Sequence, residues 1–180
     1  FLQNSVTMTT SARVADGRVV VDVSILNDKT GHHIPTDAPQ RHMILVVEAT
    51  DADGRPLALH NGPLLPDWAG DYAGRPGRTY AKVLQDEWTG ETPTAAYWRP
   101  VKIIADTRIP AFGVDQSQYI FDLPDGSSAA TVEARLLFRR NFQKLMAQKG
   151  WTDADVLMEQ ERIAVTATTA ADGCICRCGD

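Results

Sequence analysis

No cysteine precedes position 174, and the three that the chain has crowd into Cys174-Ile175-Cys176-Arg177-Cys178. That excludes a disulfide-stapled scaffold, which spaces its cysteines through the fold. Clustered Lys and Arg are missing too. The net charge is -5 at pH 7, so the cationic groove that a nucleic acid needs is excluded. No apolar run approaches the ~18 residues of a bilayer-spanning helix, so no transmembrane segment is read. No charged and apolar leader opens the chain either. Phe1-Leu2-Gln3-Asn4 leads directly into strand alternation, as in a mature product or a fragment of something longer. A Gly-rich phosphate loop, a Ser-His-Asp order and a pair of catalytic carboxylates are all lacking, which removes the usual signatures of an enzyme.

What remains is a chain that is 43% hydrophobic and 23% charged over 180 residues, enough for a domain with a real core. Val6, Met8, Thr10, Ala12 and Val14 alternate with polar residues, Asp16-Gly17 makes a two-residue turn, and Val19, Val21, Val23 and Ile25 return on one face. The unbroken apolar run from Met43 to Ala49 predicts a central strand, closed by the turn Thr50 to Gly54 with Leu57-Ala58-Leu59 as its returning partner. Residues 61 to 79 read as a long ordered loop. Tyr80 to Leu84 and Val101 to Ile104 read as short strands around an irregular stretch that holds Trp88, Tyr97 and Trp98. Tyr119 to Leu123 and Val132 to Phe138 flank a further turn of the same kind at Pro124-Asp125-Gly126.

Phe138, Phe142, Leu145 and Met146 have helical spacing, with Gly150 placed as a C-terminal cap. Thr152-Asp153-Ala154-Asp155 resembles a capping box for a second short helix running to about Arg162, before strand alternation resumes at Ile163 to Thr168. Together these elements predict an all-β fold, an immunoglobulin-like antiparallel β-sandwich with a short helical insert at about 139–161 before the last strand. The sandwich would span 1–168 as one domain and leave 169–180 as a flexible cysteine-containing tail.

Gly31-His32-His33-Ile34-Pro35-Thr36-Asp37 joins two of these strands, with His42 nearby. A loop stiffened by Pro35 that projects two imidazoles is what an axial ligand or a metal site requires. Such a pair in a loop is more often solvent-exposed, or hydrogen-bonded to a backbone carbonyl, than a ligand. No cysteine or Glu cluster accompanies it, and Asp37 is the adjacent carboxylate.

The run Asn27-Asp28-Lys29-Thr30-Gly31-His32-His33-Ile34-Pro35-Thr36 resembles the Asn-x-x-x-Gly-His-x-x-Pro-Thr loop in the β-sandwich region of bacterial multihaem c-type cytochromes. Tyr72 to Gly77 with Tyr80 to Leu84, Asp106-Thr107-Arg108-Ile109-Pro110, and Leu136 to Arg139 resemble further motifs of that family in the same order, so the resemblance covers most of residues 5 to 168. It implies an accessory sandwich in an extracytoplasmic electron-transfer protein, periplasmic or at the cell surface. It also implies that His32, or its neighbour His33, packs against or axially ligates haem. Covalent haem attachment needs Cys-x-x-Cys-His, and this sequence has none. The haem c would therefore be carried on adjoining sequence or a partner chain, and the partners implied are a haem-bearing segment or other cytochrome subunits.

Other constellations have competing readings. Cys174, Cys176 and Cys178 offer three thiolates to a soft metal or an iron–sulfur cluster, but equally suit a disulfide or an unstructured end. Asp51-Ala52-Asp53-Gly54 starts like a calcium loop, yet Gly62 stands where its Glu is required, so a hairpin turn is read. Asp106 and Arg108 read as a pair tying a loop to the sheet. Arg139, Arg140 and Lys144 read as a solvated helix face, and Trp88, Tyr97 and Trp98 as a seal on the open end of the core. The rival to electron transfer is a haem-free extracellular binding or assembly module. It would act through aromatic loops, sheet edges and the cysteine tail, and would extend to homo-oligomers. An enzyme holding copper or iron at His32 and His33 ranks last.

Overall fold

The computed structural model describes residues 2–36 and 38–167. Beyond a 3-10 turn at Leu2–Asn4, β1 (Thr7–Ala15) and β2 (Arg18–Leu26) form the expected hairpin. Its turn residues Asp16 and Gly17 both have positive φ, 49° and 71°. This backbone matches the twist of two paired strands. β2 pairs on its other side with β8 (Val114–Asp122), and β4 (Leu59–Asn61) completes this sheet in the order β1-β2-β8-β4. The second sheet runs β10-β9-β3-β5, from β10 (Val156–Thr166), β9 (Ala129–Arg139), β3 (His42–Asp51) and β5 (Gly77–Tyr80). A two-stranded ribbon, β6 (Lys82–Asp86) with β7 (Val101–Asp106), stands apart from both. All the ladders are antiparallel, and the fold is an all-β sandwich.

Alternation builds the core. Val19, Val21, Val23 and Ile25 of β2 meet Met43, Leu45 and Val47 of β3 and Val132, Ala134 and Leu136 of β9, with Tyr119 and Phe121 from β8. Burying such side chains stabilises the fold by about 1.5–3 kcal/mol each. β3 is apolar without a break because both its faces are covered. Ile44 and Val46 point away from the core into a second cluster with Leu65, Ala69 and Leu137. The loop between β4 and β5, with a 3-10 segment at Asp67–Tyr72, supplies that cover; the expected loop over 61 to 79 gives way to β5 from Gly77.

Four expectations need correction. Leu57 does return beside β3, its N–H donating to Ala49 O at 2.8 Å. The strand that follows, however, crosses to the other sheet and pairs with β8. Pro124-Asp125-Gly126 likewise joins β8 of one sheet to β9 of the other and closes no hairpin. The strand expected over Tyr80 to Leu84 breaks at Ala81 into β5 and β6, because Thr107 Oγ1 accepts from the Ala81 N–H at 3.0 Å and donates to Thr79 O at 2.9 Å. Finally, the helix before the last strand is α1 (Gln143–Lys149), capped by Gly150 at φ 66° as foreseen, but the second helix is absent. Strand β10 starts at Val156 instead and pairs along β9 as far as Thr166.

The register sorts the connections into two ends. The Asp16-Gly17, Asp51–Arg55 and Pro124–Gly126 turns lie at one end, where Arg18 faces Asp122 and Asp51 faces Ala130. At the other end, Leu26 faces Val114 and His42 faces Arg139. That end carries the histidine loop, the β6–β7 ribbon and α1.

Candidate functional site

Asn27, fully buried just past the end of β2, organises the loop end. Its amide Nδ2 donates to His32 O at 2.8 Å, Pro110 O at 3.0 Å and Ile109 O at 3.1 Å, while Oδ1 accepts from Thr30 Oγ1 at 2.6 Å. Ile34 and Ile109 exchange two backbone hydrogen bonds, at 2.8 and 2.9 Å, and both side chains enter the core. The Gly-His loop and the Asp106–Pro110 turn, 70 or so residues apart in the sequence, are thus one unit. The Ile34–Pro35 peptide within it is cis.

His32 and His33 are both exposed on this braced loop. His32 Nδ1 lies 3.0 Å from His33 O. A carbonyl only accepts, so a hydrogen bond here would place the hydrogen on Nδ1 and leave Nε2 as the nitrogen able to ligate. Asp106 and Arg108 form a bidentate pair, Nε to Oδ1 at 2.8 Å and Nη2 to Oδ2 at 2.6 Å. The Arg108 hydrogen bonds hold the Asp106 carboxyl below its usual range, and the charge of nearby His33 acts in the same direction. The pair ties the turn to the end of β7, as anticipated from the sequence.

His42, grouped with these residues in the sequence, is elsewhere. It is buried, with Nδ1 donating to Gln40 O at 3.0 Å and its ring stacked on Phe142 at 5.2 Å, with Trp68 edge-on at 5.4 Å. Arg139 is a correction as well. It is buried rather than solvated, donates Nε and Nη2 to Asp155 at 2.7 and 2.8 Å, reaches Asp71 at 2.8 Å and Ala69 O at 2.8 Å, and lies over the Tyr72 ring. Asp153 and Asp155, which suggested a helix start, are instead ion-pair partners of Arg140 and Arg139.

The third correction concerns the aromatics. Trp88, Tyr97 and Trp98 seal nothing: they are 72%, 64% and 71% exposed at the tip of the β6–β7 ribbon. The tip itself is well built. Buried Asp86 accepts from the Trp88 and Thr89 N–H groups and from Arg99 Nη1, Arg99 lies over the Trp88 ring, and Lys144 of α1 pairs with Glu91 at 2.6 Å. Ile103 and Ile104 on β7 are exposed beside it. Phe112, in the Pro110–Gly113 turn, is 78% exposed, and nothing in the sequence distinguishes it from any other Phe in a loop.

Among the described residues, no three of His, Cys, Asp or Glu stand close enough to hold a metal ion. The loop thus offers no closed protein-only site among the described residues; His32 and His33, both exposed, are the imidazoles that could serve a group such as haem, which brings its other ligands with it. Cys174, Cys176 and Cys178 lie outside the described residues.

No protein-family model and no curated protein matches the chain. Among solved structures, the fold is similar to part of a penta-haem cytochrome c552 from Thermochromatium tepidum, with a TM-score of 0.67 and 21% identity. The match covers 91% of this chain and 40% of that one, so the chain spans less than half of its neighbour's length. At this identity the likeness is one of fold, a β domain of the kind found in that cytochrome. AvmM, described as catalysing macrocyclization in alchivemycin A biosynthesis, matches at a TM-score of 0.40 and 9% identity over 95% of this chain and 93% of its own. It has no bearing on function here.

Proposed function

We propose that this chain is the β-sandwich module of an extracytoplasmic multihaem c-type electron-transfer assembly. Its loop end would face a haem-bearing segment on adjoining sequence or a partner chain, and His32 would be the imidazole offered to haem iron. The observation that carries this reading is the Asn27-braced loop, on which His32 is held by its backbone carbonyl with its ring exposed. The likeness to the penta-haem cytochrome supports it, as does the ordered set of motifs in the sequence. Haem, when bound, supplies one-electron chemistry. The chain supplies an oriented ligand and apolar surface that keeps water from the porphyrin edge.

The test is a visible spectrum of the protein isolated from its source, before and after dithionite. Sharp α and β bands on reduction are expected, and His32→Ala should convert one haem from low-spin to high-spin. A featureless spectrum would overturn the reading. It would favour the haem-free binding module, for which the exposed Trp88, Tyr97 and Trp98 are the specific argument: such a platform stacks on any flat or apolar partner.

A further inference from the structure

Phe112 is placed against its own interest. Its φ is 58°, a left-handed conformation that a bulky L-residue rarely adopts, and the residue is 78% exposed. Little burial compensates. The turn holds it there firmly: Phe112 N–H donates to Asn27 O at 2.8 Å, Asn27 N–H donates to Gly113 O at 3.0 Å, and Gly113 N–H donates to Pro110 O at 2.9 Å. Gly113 lets the turn close, since a Cβ there would lie 2.7 Å from Pro110 Cγ. Asn27 thereby suspends two exposed groups from one buried side chain and backbone, His32 through its amide and Phe112 through its carbonyl. Strained residues that persist without local reward cluster at binding sites.

We propose that Phe112 is a second binding residue of the His32 site, an aromatic wall against the flat apolar group whose metal His32 ligates. This rests on the haem reading above. The full chain is titrated with a ferric haem peptide that has one histidine ligand and one open axial position. Binding is read from the shift to a low-spin bis-imidazole spectrum, and thermal melting is followed in parallel. His32→Ala should remove the shift, while His60→Ala, an exposed imidazole at the opposite end, should leave it intact. Phe112→Asn, which tolerates the left-handed backbone, should weaken binding by about threefold to tenfold. Its melting temperature should be unchanged or higher. Phe112→Trp should retain the affinity.

Equal affinity in Phe112→Asn overturns the proposal and leaves the haem reading standing. A lowered melting temperature in that variant also overturns it, because the ring would then be serving the fold. No shift with the unsubstituted chain, or a shift that survives His32→Ala, overturns the haem reading and this proposal together.

Discussion

His42 is enclosed by Phe142, Trp68 and the sheet, and its Nε2 has no hydrogen-bond partner among the described residues. Burial pushes its pKa down to about 4, against 6.5 for a free imidazole; the Gln40 carbonyl and Asp155 oppose the shift, and Arg139 adds to it. The native state thus holds His42 neutral while the unfolded chain protonates it below pH 6.5. Its contribution to stability is complete above that pH and is lost as the pH falls from 6.5 towards 4. Between pH 7 and pH 5 this one group should cost the fold about 2 kcal/mol. Urea unfolding at the two pH values measures it. His42→Gln, though less stable at pH 7, should show a correspondingly smaller difference, and an unchanged difference would refute the assignment. At this scale the sequence was only partly legible. Pro35 announced a shaped loop by its own backbone chemistry, whereas the positive φ that Gly31 allows is not used, and the opposite fates of His32 and His42 depend on Phe142 and Trp68, distant in the chain.

The elements at the loop end are held together by Arg139. From the last position of β9 it binds the segment after α1 through Asp155 and the 3-10 segment through Asp71 and Ala69 O. Removing the guanidinium leaves the mostly buried Asp155 carboxylate uncompensated, so Arg139→Met should destabilise the protein by about 3 kcal/mol. Arg139→Lys should recover only part of that, because an ammonium cannot reproduce the fork. Equilibrium unfolding decides, and a loss below about 1 kcal/mol would mean the clasp is ornamental. The misread element has the same origin. Glu159-Gln160-Glu161-Arg162 is a good helix former taken alone, but β9 offers ten partner positions, and a bulge between Leu157 and Glu159 adjusts the register. Glu161 then accepts the Thr10 N–H of β1 at 2.7 Å and links the two sheets along that side. Propensity is local, while the ladder that overrides it is set by residues 129–139. Hairpin turns, by contrast, were legible because Asp16-Gly17 and Asp51 carry their geometry in their own side chains and φ angles.

Across the whole molecule the two ends are unequal. All four tryptophans belong to the loop end: Trp68 against His42, Trp88 and Trp98 at the ribbon tip, and Trp151 after α1. His32, His33 and Phe112 are there as well. The turn end carries short charged hairpins and His60, which pairs with Asp122 at 3.2 Å. Exposed aromatic and aliphatic surface concentrated at one end of a fold marks where it meets something else. Hydrogen exchange on the assembly as isolated, compared with this chain alone, would locate that contact. Amides of residues 30–36, 87–99 and 110–113 should gain protection in the assembly. Those at Asp16-Gly17, Asp51–Arg55 and Pro124–Gly126 should exchange at the same rate in both. Protection confined to the turn end would turn the molecule round. His32 and Phe112 would then face solvent in the assembly, and the loop end could not be the haem-facing surface.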